Sequence, residues 1–571
     1  MITQKIPVSN AVVFTNKAKC RDCYRCVRVC PVHAIRMEGG QAQVVTENCI
    51  ACGTCIAACP QHAKAYRTDV DAVAEWLDRG ERVAFSIAPS FAGSYSTWEQ
   101  KRIPSALRAA GACYVGETAA GAYLSALATA KHIQQNPDQH HICSACPAVV
   151  NFICQYASEH TNELVPVLSP MLTHAKMIRK ELGRTKIVFI GPCVAKKLEA
   201  SDENAKGLVD AVLTFEELDR LYELRAIKLD QCEESPFDSK VGESARLFPL
   251  EGGLLKTAGL NTDMLDATHL AISGFDSLEE IVEAMPQTNG RKWIVEPLFC
   301  RHGCINGPLI RDQKAVFEQR NAVMDYAEKL HADTDEAAFD LDLSAMYPSR
   351  TTKHKVFTDN QIREVLASIG KFSKEDELNC MACGYSSCRE KAIAVLEGLA
   401  EPEMCMPYMR KMAEQKFEMM IKHDPNGIVM LDEKLHIVHM NPAFMRMFSC
   451  SESLNGRPVS YLIDPDVFEQ LATGKELLIR KTANFTNYNL VCHLMCYALP
   501  EQGQYVGIFM DITALQTNTE KLNDIKAETV LQAQHLLEHQ IVMAQELARF
   551  LGDHTAKGEV LLNKLINSIQ K

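Results

Sequence analysis

Cysteine spacing is the feature that most constrains how this chain can fold. Of its 23 cysteines, most fall into four sets of four with short, regular spacing, in a chain of 571 residues. Met1 to Val13 lacks the basic and apolar regions of a secretory signal, so a disulfide framework is not expected. Such spacing instead favours the binding of metal ions or clusters.

Composition limits the remaining classes. The length predicts three to five domains, and 47% apolar with 23% charged residues is typical of globular proteins. A net charge of −12 argues against a broadly basic nucleic-acid binder. No run approaches the roughly 18 apolar residues of a membrane span. We therefore expect a cytoplasmic protein with neither a nucleic-acid nor a membrane partner.

The predicted fold class is multidomain, α+β and α/β, with segments at 1–68, 69–350, 356–410, 415–515 and 516–571. In the second segment, strand-like runs such as Val83–Ala88 and Lys186–Ile190 alternate with helix-like stretches such as Thr118–Ile133 and Pro170–Leu182. This alternation is typical of α/β folds. A polar stretch around Tyr347–Lys355 indicates a linker.

The first segment carries two copies of C-x2-C-x2-C-x3-C-P, which begin at Cys20 and Cys49. In such motifs three cysteines of one loop hold a cubane, and the fourth holds the other cubane. Zinc sites use paired C-x2-C units instead. The segment resembles a bacterial two-cluster ferredoxin that carries electrons. The predicted ligand sets are Cys20, Cys23, Cys26 with Cys59, and Cys49, Cys52, Cys55 with Cys30.

Three further cysteine loops lie far apart in the second segment. They read Cys143-Ser144-Ala145-Cys146-Pro147, Gly191-Pro192-Cys193 continuing to Lys196 and Glu199, and Glu296-Pro297-Leu298-Phe299-Cys300 followed by Cys304. From spacing alone, two interpretations stay open. Cys146, Cys193, Cys300 and Cys304 meet at one cubane if their strands are neighbours, or they are scattered core thiols.

The three loops resemble the signature loops of FeFe hydrogenases, and Ala88-Pro89-Ser90 resembles that family's turn beside the diiron site. The resemblance implies an H-cluster, a cubane joined to a diiron unit that carries CO, cyanide and an azadithiolate. It implies that Cys146, Cys193, Cys300 and Cys304 hold the cubane and that Cys304 also bridges to the diiron unit. Lys196 would donate to a cyanide nitrogen, although a solvated helix lysine is the alternative. Glu199 would pair with Lys196 or Lys197, or be exposed.

Departures from the family concern proton transfer. Ala145 stands where catalytic members have a relay cysteine, and Gly121–His132 contains no Asp or Glu, where they place relay glutamates. Glu117 is the nearest carboxylate, and Cys143 and Ser144 would substitute only weakly. Because a well-placed relay is commonly worth about 10²–10⁴ in rate, we expect slow turnover.

The pocket wall also departs from the family. Gly191 and Leu298 replace methionines that flank the diiron site in catalytic members, and the glycine-rich stretch after the last ligand is reduced to Asn306-Gly307-Pro308.

A fourth set has the spacing C-x2-C-x4-C-x16-C. It resembles a small iron–sulfur module found on corrinoid proteins and some redox regulators. One 4Fe–4S cluster is the favoured occupant, and zinc is the alternative. The set comprises Cys380, Cys383, Cys388 and Cys405.

Residues 415–515 resemble a PAS domain, with Asn426-Gly427-Ile428 at its opening and Asp511-Ile512-Thr513 at its exit. The short strand patterns are Gly427–Leu431, Ile437–Met440 and Tyr505–Asp511. The tail predicts an amphipathic helix whose apolar face includes Val530, Ala533, Leu537, Ile541, Ala544 and Leu551, broken near Gly552 and resumed at Val560–Ile569. A homodimer through PAS and this helix is expected, together with a separate output protein, a kinase or phosphatase.

The remaining histidines and cysteines carry no motif. His436, His439 and His493 are expected to be surface or core residues rather than haem ligands. Cys492 and Cys496 should share one strand face as packing residues. Four thiols are predicted to be buried: Cys113, Cys154, Cys232 and Cys450.

Three functions compete. The favoured one is a hydrogen sensor resembling the sensory, PAS-containing group C branch of FeFe hydrogenases, in which H2 and protons are handled slowly and redox state passes to PAS. The second is a working hydrogenase that exchanges electrons with a carrier such as ferredoxin. The third is a non-catalytic relative of iron–sulfur assembly factors without the diiron unit.

Overall fold

The computed structural model of this chain describes residues 11–241, 243–263, 265–287, 290–310, 314–328, 341–350, 355–513 and 532–543. The chain divides into two compact units, Met1–Cys405 and Met406–Lys571.

The cysteine-rich start is a small α+β fold built from two antiparallel strand pairs, β1 with β4 and β2 with β3. Each cysteine motif wraps one short helix, and the residue before each helix, Tyr24 or Gly53, has a left-handed backbone. The elements are β1 (Val13–Thr15), α1 (Arg25–Val29), β2 (Ile35–Glu38), β3 (Gln41–Val44), α2 (Thr54–Ala57) and β4 (Lys64–Tyr66).

The second segment is α/β, as the alternating pattern predicts. It contains α3 (Val70–Asp78), β5 (Val83–Ile87), α4 (Phe91–Ser94), α5 (Thr97–Gln100), α6 (Ile103–Ala109), β6 (Ala112–Glu117), α7 (Ala119–Gln135), β7 (His141–Ile142), α8 (Pro147–Tyr156), α9 (Pro170–Leu182), β8 (Lys186–Ile190), α10 (Ala195–Glu199), β9 (Ala211–Leu213), α11 (Phe215–Leu224), α12 (Gly253–Thr257), β10 (His269–Ser273), α13 (Phe275–Ala284), β11 (Ile294–Leu298) and α14 (Val316–Glu328).

Two parallel sheets organise this segment, one with strand order β6-β5-β8-β9 and one with order β10-β11-β7. Strand β5 is buried at every position and β8 at all but its first, which explains their continuous apolar sequences. The predicted bounds of β8 and α9 are confirmed, and α9 begins with a proline, which suits the first helical position.

The fourth cysteine set lies in a small helical module, α15 (Asp359–Ser368) and α16 (Cys388–Leu396). Before it, part of the predicted linker is anchored to the α/β segment. The Tyr347 hydroxyl donates to the Val167 carbonyl at 2.7 Å, and the Arg350 amide donates to Cys154 at 2.7 Å. Residues 347–350 and 355, the described part of this stretch, form no helix or strand, but the linker prediction misses this anchoring.

The second unit has a five-stranded antiparallel sheet of order β13-β12-β16-β15-β14. Its elements are α17 (Met406–His423), β12 (Gly427–Leu431), β13 (Ile437–Met440), α18 (Pro442–Met447), α19 (Asp466–Ala472), β14 (Leu478–Phe485), β15 (Leu490–Leu499) and β16 (Gln504–Asp511). All three predicted strands are confirmed to within one residue. The predicted tail helix is helical over 532–543, and the rest of 516–571 lies outside the described residues.

The prediction of four buried lone thiols is only partly correct. Cys154 is buried, but Cys232 and Cys450 are half-buried and Cys113 is exposed. Val83 pairs with Ala112 and Ala84 pairs with Tyr114, so Cys113 is the extra residue of a bulge in the edge strand β6. A bulge leaves its extra residue out of the ladder, which accounts for the exposure.

Within the described residues, no helix combines the length and the apolar character that crossing a membrane requires.

Candidate metal centres

The structure brings each predicted set of the first segment together across the two motifs. Burial raises the pKa of the Cys26 thiol, and so do the other three cysteines of its set, Cys20, Cys23 and Cys59. Burial likewise raises the pKa of Cys30 to about 12, and its thiol neighbours are Cys52 and Cys49 of the second motif. Each fourth cysteine therefore lies beside the opposite loop, as the predicted ligand sets require.

The loops of the α/β segment all follow parallel strands, β5 and β8 in one sheet and β7 and β11 in the other. The turn at Ala88 follows β5, the loop to Cys146 follows β7, the loop to Cys193 follows β8, and the loop to Cys300 follows β11. Carboxyl ends of parallel strands lie on one edge of a sheet, where α/β proteins place their sites. The candidate site is formed by the loops at the carboxyl ends of the two sheets.

Four cysteines of these loops are mutual neighbours, which decides between the two interpretations left open by spacing. Burial raises the pKa of the Cys300 thiol, and the other three members, Cys146, Cys193 and Cys304, raise it further. Burial raises the pKa of Cys193 to about 12 and that of Cys304 well beyond its usual value. Thiols in such surroundings stay protonated unless a metal takes the proton's place, so the donor set fits an iron–sulfur cluster.

Glycine is required to orient the last of these cysteines. Gly303 has a φ of +85°, and a Cβ there would lie 2.3 Å from the Pro249 carbonyl oxygen. That same carbonyl accepts the Cys304 amide at 2.8 Å. A residue with a side chain at position 303 would therefore displace the loop that carries Cys304.

Lys196 is buried, with 8% of its surface exposed, which excludes a solvated lysine. Its Nζ donates to the Glu199 carboxylate at 2.7 Å and to the Ser169 hydroxyl at 3.0 Å. Its charge also acts on the thiols of Cys193 and Cys304. The ammonium is therefore at the cysteine site, and Glu199 is its ion-pair partner rather than an exposed residue.

The turn Ala88-Pro89-Ser90 lies against the loop after β8. The Ala88 amide donates to the Ile190 carbonyl at 2.8 Å, and a Cβ on Gly191 would lie 3.1 Å from the Ala88 Cβ. The Ser90 hydroxyl is buried and has no hydrogen-bond partner among the described residues. Buried hydroxyls are normally satisfied, so this one is available to a bound group.

Cys143 and Ser144 are poorly suited to carry protons. The Ser144 hydroxyl lies 2.8 and 2.9 Å from the carbonyl oxygens of Val165 and Val167, which hold its proton. Burial raises the pKa of the Cys143 thiol, so the thiol stays neutral. Ala145 has no proton to give, as the sequence shows.

Glu117 is tied up in a buried ion pair. Arg246 donates to its two carboxylate oxygens at 3.0 and 2.8 Å, and both residues are nearly inaccessible. A bidentate pair of this kind fixes the position of the carboxylate. The carboxylate that the sequence singled out for proton transfer is thus engaged in an ion pair.

Glu296 is a titratable group that sequence reasoning missed. It is fully buried, accepts the amides of Leu254 and Leu255 at 3.0 and 2.9 Å, and acts on the thiols of Cys143 and Cys304. Burial raises its pKa to about 7. The sequence shows that Glu296 is the first residue of the third loop, but it does not show that Glu296 is buried away from solvent.

The second ferredoxin loop lies against the α/β site. Gly53 has a φ of +81°, and a Cβ there would lie 2.5 Å from Pro308 and 3.3 Å from Val194. The Cys52 thiol is an electrostatic neighbour of Cys146 and Cys300. The departure Asn306-Gly307-Pro308 therefore forms part of a contact between the two cysteine sites.

In the fourth set, the Cys383 thiol has Cys405 and Cys380 as neighbours, and burial raises its pKa. Cys380 is exposed and Cys388 is half-buried. Across the described residues, no three His, Cys, Asp or Glu side chains converge closely enough to hold a single metal ion.

The PAS-like core is filled by its own side chains. Cys492 and Cys496 are fully buried on one face of β15, as predicted. His436 contacts the Asp432 carboxylate at 3.3 Å, and His493 contacts Thr482 at 3.3 Å. At the exit, the Thr513 amide donates to Asp511 at 2.8 Å, and the Thr513 hydroxyl accepts the Val491 amide at 2.9 Å. These two bonds hold Thr513 against the ends of β15 and β16.

Comparison with protein families now assigns these regions. A model for the iron only hydrogenase large subunit, C-terminal domain, matches residues 81–308, and a 4Fe-4S dicluster domain model matches residues 12–60. An Fe-S cluster family matches residues 376–407, and a PAS domain family matches residues 415–482. The chain is FeFe-hydrogenase-like and carries a PAS domain. The iron–sulfur class of its cofactors follows from the same families.

Two curated proteins are related to this FeFe-hydrogenase-like chain. Cytosolic Fe-S cluster assembly factor narfl from Xenopus tropicalis is 24% identical over 220 residues, 29% of this chain and 46% of that protein. Cytosolic iron-sulfur assembly component 3 from Pongo abelii is 26% identical with the same coverage. The chain thus spans about half the length of the curated relatives it matches.

Solved structures of FeFe hydrogenases are also similar. A variant of FeFe-hydrogenase HydA1 from Chlamydomonas reinhardtii has 17% identity and a TM-score of 0.42, covering 50% of this chain and 100% of that chain. The PAS domain of an HTR-like protein from Haloarcula marismortui has 17% identity and a TM-score of 0.16, covering 18% of this chain and 99% of that chain.

Proposed function

We propose that this FeFe-hydrogenase-like protein is a hydrogen sensor. It binds H2 and slowly oxidises it, or reduces protons, and passes the redox state through iron–sulfur clusters to the PAS domain. When bound, an H-cluster would supply H2 activation at its diiron unit and one-electron transfer at its cubane. Cys146, Cys193 and Cys300 would hold the cubane, and Cys304 would hold it and bridge to the diiron unit.

The observation that carries this proposal is a pair of buried donors, the Lys196 ammonium beside the thiols of Cys193 and Cys304 and the Ser90 hydroxyl in the turn after β5. Holding a cubane alone requires only the cysteines. The Lys196 ammonium has described partners for two of its three hydrogens, and the buried Ser90 hydroxyl has none among the described residues. Donors in an apolar pocket are costly unless an acceptor arrives, and cyanide nitrogens are such acceptors. This supports a diiron unit rather than an assembly-type site.

Slow turnover follows from what the nearby residues do with protons. Ala145 has none, the Ser144 hydroxyl is held by backbone carbonyls, and the Glu117 carboxylate is held by Arg246. Glu296 is a nearby carboxyl group whose pKa burial raises to about 7. Its hydrogen bonds from the amides of Leu254 and Leu255 restrict its movement. A sensor tolerates this, because a long-lived hydrogen-bound state gives PAS time to respond.

Signalling would leave the protein through PAS. The closing strand β16 ends in the capped Asp511–Thr513 junction, from which the chain continues into the tail. We expect this junction to act in a homodimer and to control a separate kinase or phosphatase, with a carrier such as ferredoxin exchanging electrons with the clusters.

The test is hydrogen–deuterium exchange of the maturated full chain under H2 and under argon. We expect H2 to change amide exchange in β15, β16 and the junction at Thr513, and Cys304→Ala to abolish the change. Cys450→Ala serves as the control for losing a thiol. Rapid turnover without any exchange difference in PAS would favour a working hydrogenase, and an iron-loaded protein that ignores H2 would favour the assembly-type relative.

A further inference from the structure

The fourth cysteine module packs on the dicluster domain, within the first compact unit. The Met37 amide donates to the Leu399 carbonyl at 3.1 Å, and the Gly39 amide donates to the Glu401 carboxylate at 2.8 Å. Val27, Ile35 and Met37 share one apolar core with the module residues Tyr385, Ala394, Ala400 and Met404. The two regions are therefore one packed body despite more than 300 residues of intervening sequence.

The contact is closest at the cysteine loops themselves. Gly384, directly after Cys383, has a φ of +96°, and a Cβ there would lie 3.1 Å from the Arg28 amide nitrogen and 3.2 Å from its Cα. Arg28 lies on α1, between Cys26 and Cys30. The backbone beside one cysteine set thus touches the backbone beside the other, and only glycine permits this approach.

The Arg28 guanidinium bridges the two loops. It donates to the Ala382 carbonyl at 3.3 Å and to the Cys23 carbonyl at 3.0 Å. Ala382 immediately precedes Cys383. The Arg28 side chain therefore links the backbone of Cys23, a predicted dicluster ligand, to the backbone of Ala382, which precedes the module ligand Cys383.

A ring stack forms a second bridge. The ring centroids of His33 and Tyr385 are 5.1 Å apart, and the ring planes are inclined by 19°. His33 follows Cys30 by three residues, Tyr385 follows Cys383 by two, and the Tyr385 hydroxyl has Cys383 and Cys30 as electrostatic neighbours. His33 Nδ1 and the Tyr385 hydroxyl are both buried without a partner among the described residues. The sulfur atoms of bound clusters would supply hydrogen-bond acceptors for such buried polar atoms.

We propose that this contact is a redox junction, in which Arg28 and the His33–Tyr385 stack are positioning residues that hold the module and the dicluster domain within electron-exchange range. One electron leaves one domain and arrives in the other, and no bond forms or breaks. The module is then a branch of the chain of clusters rather than a structural cap. The inference rests on iron–sulfur occupancy of both sites and is independent of H2 chemistry.

The test is electron paramagnetic resonance of the full chain reduced with dithionite, with iron and sulfide contents measured for every variant. Cys383→Ala/Cys405→Ala supplies the spectrum without the module cluster. The two dicluster clusters broaden each other's signals in both samples, so we expect the wild-type spectrum to show additional spin–spin broadening that this variant lacks. Arg28→Ala/Tyr385→Leu should lose the broadening while keeping its iron.

Two matched controls distinguish the loss of the contact from the loss of a positive charge and from the loss of the Tyr385 hydroxyl. Arg25→Ala removes an exposed arginine of the same helix, and Tyr385→Phe keeps the ring, so both should retain the broadening. If Arg28→Ala/Tyr385→Leu loses its module iron, the single variant Arg28→Ala decides the test instead, because Arg28 is exposed. We then expect weaker broadening in Arg28→Ala than in the wild type.

Three outcomes overturn the proposal. The first is a wild-type spectrum equal to that of Cys383→Ala/Cys405→Ala plus an unbroadened signal of the module cluster, and the second is zinc in place of iron in the module. The third is undiminished broadening in iron-replete Arg28→Ala/Tyr385→Leu or, where that variant has lost its module iron, in Arg28→Ala. Because dithionite supplies the electrons, none of these results depends on whether the protein senses hydrogen.

Discussion

Removing Arg246 should strongly destabilise the hydrogenase-like domain. Its guanidinium makes two bonds to the Glu117 carboxylate, and their side chains are 5% and 2% exposed. Arg246→Met fills a similar volume but leaves the carboxylate buried without its partner. Breaking a buried pair from one side costs about 3–5 kcal/mol.

That magnitude translates into a measurable melting shift. The unfolding unit is taken as Met1–Cys405, with an unfolding entropy of roughly 2.1 cal/mol/K per residue. A loss of about 3–5 kcal/mol should therefore lower the apparent Tm by about 4–6 °C. Anaerobic scanning calorimetry, with loss of the visible cluster absorbance as a second signal, would measure it.

A double variant isolates the interaction. Glu117→Gln/Arg246→Met carries no unpaired charge, and we expect it to be more stable than either single variant, with a coupling of about 2–3 kcal/mol. Exposed Arg79, which pairs with Glu75 at the surface, provides the matched control, since Arg79→Met should cost about 1 kcal/mol or less. If Arg246→Met melts like the control, or the double variant recovers nothing, Glu117 is not held as described.

Three further predictions concern Glu296, Gly53 and Ala145. The raised pKa of Glu296, about 7 against 4.5 in the unfolded chain, means that its stabilising contribution is present below pH 4.5 and lost as pH rises through 7, by about 3 kcal/mol. Glu296→Gln should therefore flatten the dependence of denaturant stability on pH between 5 and 8, and an unchanged slope would refute the assignment. Gly53→Ala should destabilise by about 1–3 kcal/mol in thermal melts because its Cβ would meet Pro308, whereas Gly80→Ala, with a similar φ and open space, should cost less. Ala145→Cys should raise H2 turnover by less than the roughly 10²–10⁴ of a complete relay, and a rate equal to wild type would indicate another proton path.

Local patterns explain why so much of this architecture could be predicted. Cysteine spacing is set by the loop that wraps a cluster, so the opposite-loop pairing of Cys30 and Cys59 followed from the motif. Buried parallel strands have continuous apolar sequences, so β8 was predicted with its observed bounds. The alternation along β15 placed Cys492 and Cys496 on one buried face.

What could not be predicted depends on residues that meet only after folding. Glu117 and Arg246 are 129 positions apart, and nothing local marks them as partners. The pKa of Glu296 depends on burial rather than on its neighbours in sequence. Cys113 was predicted to be buried because it belongs to no motif, and the bulge that exposes it depends on the pairing of β6 with β5. Gly384 directly follows Cys383, but the contact that requires a glycine there, with the backbone of Arg28, lies in another domain.

Infrared spectroscopy of the maturated full chain tests the central claim most directly, since CO and cyanide ligands give bands in a region free of protein absorption. The account predicts these bands in the wild type, their shift under H2, their loss in Cys304→Ala, and their retention in Cys492→Ala. Iron-replete protein without CO or cyanide bands would contradict it and identify the site as a cubane alone.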